Sequence, residues 1–258
     1  MRLSVSALCS IFCLIASPFA YTQTPTSSTA TSQIPTSFQL QAQAAVSAGK
    51  PFGVVNLTAT AEWTAGSLHE SGTAQLQANA DGSTNVQLAL GSASRTEVQT
   101  QANSSRTCSW TDSAGKNHTI LGPNCMVAVP WFSPSLFSQP SAGLPPLLGT
   151  TDTGVVTKNG SIFHKVSYVL NLAGANTSST NQIVSQSTVD VFYDPQTFLP
   201  ASLEYFIHPD NNDLQNIPVR VVFSNYQSVS GVMLPFTIER YVNRTLQLKL
   251  DVSNASLQ

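Results

Sequence analysis

The chain has 258 residues, enough for one large domain or two small ones and for a core that needs no disulfide or metal to hold it. Only 9% of the residues are charged and the net charge is −2, while Ser, Thr, Asn and Gln fill 94 positions, so the polar surface is mostly uncharged. With no Lys/Arg cluster, nucleic-acid binding through phosphate neutralisation is excluded.

The first twenty residues read as a signal peptide. Arg2 supplies the positive start, Leu3 to Ala16 is uncharged and largely apolar, and Pro18 and Ala20 mark the cleavage region. The apolar stretch is shorter than the ~20 residues of a membrane span, and no later segment qualifies as an integral span. An exported protein, periplasmic or extracellular, is therefore expected. Cys9 and Cys13 fall inside the signal and lack a lipoprotein pattern, which leaves Cys108 and Cys125. In an oxidising compartment these two most simply form a structural disulfide, worth ~3 kcal/mol for a loop of this length. The alternative, a redox or metal pair, meets a spacing far too wide for C-x-x-C chemistry.

Residues 21–37 are a flexible Thr/Ser/Pro-rich leader by composition, and 38–258 read as a single β domain. Phe38 to Ala48 is one short helix, stopped by Gly49 and Pro51. From Val55 the period becomes two: Val55, Leu57, Ala59, Ala61 and Trp63 form one face of a strand. Ala74, Leu76 and Ala78 must share a face with Val86, Leu88 and Leu90, which requires opposed positions to sum to an even number. A two-residue Asp81-Gly82 turn fails that test. A three-residue loop Ala80-Asp81-Gly82, with Gly82 left-handed, passes it. Arg95 to Ile120 continues as short strands. Gly122 to Leu148 carries six prolines around Trp131, Phe132 and Phe137 and is irregular, with one helical turn. Those three aromatics either plug the core, or act as a lid over an apolar cavity or as a patch for a partner. Strands resume at Thr153–Thr157, Ser161–Leu172 and Ile183–Tyr193. Alternating series follow through Leu203 and Tyr205, Val221 and Phe223, Leu234, Phe236 and Ile238, and finally Leu246 to Val252. About ten strands at short spacing predict one large curved antiparallel sheet or a barrel.

No catalytic motif emerges. Ser47 to Lys50 and Ser113 to Lys116 match Ser-x-x-Lys, but both read Ser-Ala-Gly-Lys, a helix end and a turn. His69, His118, His164 and His208 never fall at metal-ligand spacing, and His208 to Asp213 reads as a solvated turn rather than a calcium loop. Neither a metal nor a cofactor is implied.

Two segments carry a family pattern. Asp194-Pro195-Gln196-Thr197-Phe198-Leu199-Pro200 is a D-P-x-T-x-L-P hairpin, and 219–241 read VRVVFSNYQSVSGVMLPFTIERY, an F-x-x-Y…G-V-x-L-P-F strand pair. On these, residues 190–254 resemble the LolA-like family of periplasmic lipoprotein and lipid carriers, and most nearly exported proteins of acidobacterial type with that layout. Asn243-Arg244 stands where such proteins carry Asn-Gly. The resemblance implies a mainly β fold: a strongly curved antiparallel sheet, a half-open β-barrel, with one N-terminal helix and the Pro/aromatic-rich segment packed on it. It also implies a non-catalytic protein that binds a lipid, a lipidated protein or another apolar ligand. Leu203, Tyr205, Val221, Phe223, Leu234, Phe236 and Ile238 would line the concave side, either as ligand-binding wall or as a dry, filled core. The alternatives are an envelope protein–protein interaction module and, third, an exported hydrolase.

Overall fold

The computed structural model describes residues 36–258 except 103–104, 121, 127–129, 139–146, 171–179 and 213; the signal peptide and all but the end of the leader lie outside the described residues. Helix α1 (Ser37–Ser47) opens on a capping box: Thr36 Oγ1 accepts from Gln39 N at 3.3 Å, and Gln39 Oε1 accepts from Thr36 N at 2.8 Å. The cap draws Ser37 into the helix, one residue earlier than hydrophobic spacing predicts. Left-handed Ala48 (φ 53°) and Gly49 (φ 73°) end it. Phe38, Ala42 and Val46, each four apart, form its buried face.

The first wing of the sheet is a meander: β1 (Val54–Ala65), β2 (Leu68–Asn79), β3 (Thr84–Leu90), β4 (Arg95–Ala102), β5 (Ser105–Thr111) and β6 (Asn117–Thr119). The β2–β3 hairpin has the bulged three-residue loop that parity selects. Leu76 opposes Val86, Ala78 opposes Thr84, and Gly82 sits at φ 88°. Gly72 is required for a different reason: a Cβ there would lie 1.9 Å from the backbone oxygen of Ala89. Between the wings come α2 (Gly122–Met126) and a 3-10 turn, Pro134–Ser138, so the irregular segment holds two helical turns rather than one.

The second wing comprises β7 (Leu147–Lys158), β8 (Ser161–Leu170), α3 (Thr180–Ser187), β9 (Thr188–Tyr193), β10 (Pro200–Ile207), β11 (Ile217–Val229), β12 (Val232–Val242) and β13 (Thr245–Leu257). Here one expectation is corrected: the strand read from Ile183 is helical as far as Ser187 and extended only from Thr188. Ile183 and Val184 have weak helix propensity, but propensity is overridden by context in so short a helix. The Asp194 hairpin explains its motif. Asp194 Oδ1 accepts from Gln196 N and Thr197 N at 2.8 Å each, and Phe198 takes φ 59°. Where Asn-Gly would be usual, Asn243 and Arg244 both keep positive φ, 48° and 69°, as a type I′ turn demands.

Among the described residues the strands form one 13-stranded antiparallel sheet, in the order β6-β5-β4-β3-β2-β1-β13-β12-β11-β10-β9-β8-β7. The two meanders join where β1 pairs with β13. In a flat sheet β4 and β10, seven places apart, would stand roughly 34 Å from each other. Instead Glu97 of β4 and Tyr205 of β10 border the same cavity, so the sheet is strongly curved, a half-open barrel. The chain must also pass from edge strand β6 to edge strand β7. Its connection does so over the concave face, where the 3-10 turn packs on β10 and β12. No described helix is long and apolar enough to cross a membrane.

Candidate ligand-binding site

The seven residues expected on the concave wall do share that face. Leu203, Val221, Leu234 and Ile238 are fully buried, Tyr205 and Phe223 nearly so, and Phe236 is half-buried against them. They belong to one continuous buried core with α1 and with Trp131, Phe132, Leu136 and Phe137. Trp131, Phe132 and Phe137 are themselves buried and present no surface to a partner in this conformation. Three directed bonds among the described residues hold their segment to the sheet: Ser135 Oγ donates to Met233 O at 2.7 Å, Tyr168 Oη donates to Phe137 O at 3.1 Å, and Ser138 Oγ donates to Tyr193 Oη at 3.4 Å.

An open space lies at the polar end of the concave face. A cavity of about 230 Å³ is bordered by β3–β5 on one wing and β10 and β12 on the other, and of the seven wall residues only Tyr205 reaches it. Register explains its chemistry. Leu88 opposes Arg95 and Val86 opposes Glu97, so the face that is apolar on β3 becomes Arg95, Glu97 and Gln99 on β4. Trp110 continues it on β5. Opposite stands Arg240, on the same side of β12 as Leu234, Phe236 and Ile238.

Arg95 pairs with Glu97 at 2.9 Å and lies over the Trp110 ring, 4.5 Å from its centroid; His118 of β6 also stacks on Trp110, at 4.2 Å. Arg240 lies 5.2 Å from the Trp131 centroid, and both it and Tyr205 border the cavity. Burial opposes the charge of Arg240, but the Tyr205 phenol and the Glu97 carboxylate outweigh it and hold the guanidinium above its ordinary value. Burial also pushes Tyr205 up, so it stays a neutral phenol at physiological pH. Nearby on β5, burial pushes Arg106 down to about 10, still cationic near neutrality.

Helix α2 bridges the two wings at this end. The Cys108–Cys125 disulfide ties it to β5. Asn124 ties it to the end of β10, donating to His208 O and accepting from His208 N, both at 2.7 Å. The sequence reading named none of Arg95, Glu97, Trp110, Asn124 and Arg240. The available signals were register, carried one strand beyond the β2–β3 hairpin, and an arginine at the end of the apolar series 232, 234, 236, 238.

A hydrolytic centre would need a nucleophile linked to a base. The most enclosed histidine–carboxylate pair, His164 and Asp152, is 2.5 Å apart, but Thr36 Oγ1 and His164 both bind Asp152 rather than each other. Phe38 covers the His164 ring at 3.4 Å. Among the described residues, no group of three or more His, Cys, Asp or Glu is placed to hold a metal.

No family model matches the chain, and no curated protein matches it. Solved structures do. A domain assigned to outer membrane lipoprotein sorting in Vibrio parahaemolyticus is 10% identical, with TM-score 0.50, over 86% of this chain and 91% of that one. A DUF1329 family protein from Desulfovibrio piger is 9% identical (TM-score 0.49), covering 86% of this chain and 90% of its own. A LolA superfamily protein from Nitrosomonas europaea is 10% identical (TM-score 0.48), covering 86% and 92%. This chain shares its fold with the Vibrio parahaemolyticus domain.

Proposed function

We propose that the protein is an exported, non-catalytic carrier that holds a lipid, a lipidated partner or another apolar ligand in its half-barrel. Leu203, Tyr205, Val221, Phe223, Leu234, Phe236 and Ile238 form the wall, and the segment bearing Trp131, Phe132 and Phe137 forms the lid. The observation that carries this reading is the cover itself. A curved sheet left open at both edges has its apolar face covered by helix α1 and a 3-10 turn rather than by a strand. Strands are held by ladders of backbone hydrogen bonds, whereas this turn rests on side-chain packing and the three bonds above, so it costs less to displace than a strand. Displacing it exposes a contiguous apolar surface of the kind that marks a binding groove. The likeness to a Vibrio domain assigned to lipoprotein sorting supports the same reading at the level of fold.

The burial of these side chains favours a second reading, an envelope protein–protein interaction module. Mass spectrometry of an organic extract separates the two, using mature protein purified from its native envelope without detergent. The carrier reading expects a stoichiometric lipid, lost on Phe236→Asp, a half-buried position that tolerates the change better than Phe223. A clean extract from well-folded protein sinks it, and pull-downs from the envelope then test the second reading.

A further inference from the structure

We propose that the cavity between the wings binds the anionic end of an amphiphile, a carboxylate or a phosphate monoester, between the guanidinium groups of Arg95 and Arg240. The proposal deepens the carrier reading by naming the charge of the ligand, and rests on that reading only for the ligand's apolar tail.

Three observations carry it. First, the Nε–H groups of both arginines are buried and have no acceptor among the described residues. Buried donors are nearly always paired, and two orphaned guanidinium donors bordering one space define an oxygen-accepting guest. Secondly, Arg95 has a counter-ion in Glu97, but among the described residues no carboxylate lies within ion-pair distance of Arg240. A phenol and an indole face lie against it and the Glu97 carboxylate acts on it only from beyond ion-pair distance, so two guanidinium groups share one close carboxylate, and buried charge calls for a partner. The other carboxylate on the cavity, Asp210, is exposed at its mouth and screened by solvent. Thirdly, part of the remaining wall is apolar and aromatic, Trp131, Ile207 and Val86, beside the polar Thr84, Gln99, Thr119 and Asn124. At about 230 Å³ the space is below the roughly 300–1,000 Å³ that encloses a drug-sized ligand. It accepts a head and the first carbons, and the tail continues under the displaced lid.

Tryptophan fluorescence and calorimetric titration of the full mature protein, with probes below their micellar concentrations, test this. The probes are dodecanoate, dodecyl phosphate, dodecanol and inorganic phosphate. One anionic amphiphile should bind at least about tenfold more tightly than dodecanol, the worth of one hydrogen bond to a charged group. Whichever binds tighter assigns the source as a fatty-acid carboxylate or a lipid phosphate. Arg240→Met should erase the preference and leave dodecanol binding intact. Glu97→Gln should strengthen anion binding, a gain that misfolding cannot produce. If all three amphiphiles bind equally and neither variant matters, the anion site is overturned while the carrier reading stands. If inorganic phosphate binds as tightly as the amphiphiles, the site stands and the carrier reading falls. If well-folded protein binds none of them, both fall.

Discussion

Asp152 shows how much one side chain can tie together. It accepts from Thr36, the N-cap of α1, and from His164 of β8, while its own strand β7 is the sheet edge. Burial raises its pKa, but these hydrogen bonds and the Gly154 N–H outweigh burial, so its carboxyl is held below the ordinary 3.8. A folded-state pKa depressed in this way stabilises the fold above the unfolded value, and the stability is lost as pH falls through the folded one. Urea midpoints measured from neutrality down through 3.8 should therefore fall in the wild type, and Asp152→Asn should remove part of that fall while starting lower at neutral pH. An equal slope in both proteins would deny Asp152 the role. In the sequence Asp152 carried no signal, because its partners lie 116 and 12 positions away in the chain. The capping box was legible in principle, as Thr36 three residues before Gln39, but hydrophobic spacing alone passes over a polar cap.

At the scale of elements, strands with one buried face were the most readable. Parity chose the β2–β3 loop correctly because a slip of one residue would turn Leu76 and Val86 to solvent. Helix α3 was misread because eight residues are too few for a 3.6-residue period to outvote two β-branched side chains. Helix α2 was invisible as a bridge, since Gly122–Met126 is held by the disulfide and by Asn124 rather than by its own propensity. The pairing of Cys108 with Cys125 itself followed from compartment and arithmetic, and the structure places the two cysteines in a disulfide across 17 residues. Reducing it, or replacing both cysteines by Ser, should cost ~3 kcal/mol in denaturant unfolding. A change near zero would mean that α2 stays docked without its covalent tie.

For the molecule as a whole, the architecture makes the crossing segment unavoidable. The terminal meanders meet at the centre through β1 and β13, so the middle of the chain must travel from one sheet edge to the other. Because the sheet curls, the inner route is a buried one, which is why that connection is rich in Trp and Phe and cannot be a solvated loop. The core it completes is continuous, and truncation there should be costly wherever it falls. Leu234→Ala, at a position with 0% exposure, should cost about 2–5 kcal/mol, whereas Val155→Ala, at 68% exposure on the β7–β8 hairpin, should stay within about 0.5 kcal/mol. Equilibrium unfolding in urea measures both, and similar losses at the two sites would refute a single core confined to the concave side.

The sequence by itself determined the class of fold and the faces of the long strands, because alternation and turn chemistry act over neighbours that local order alone brings together. The tertiary structure decided the rest. Only curvature sets β4 against β10 and β12, turning Arg95, Glu97 and Arg240, some 145 positions apart along the chain at their widest, into one charged cavity. It also decided that the apolar residues of the wall are covered by α1 and the 3-10 turn. Strand periodicity reports which face a residue takes and is silent about what a second wing, bent round to meet the first, will place opposite it.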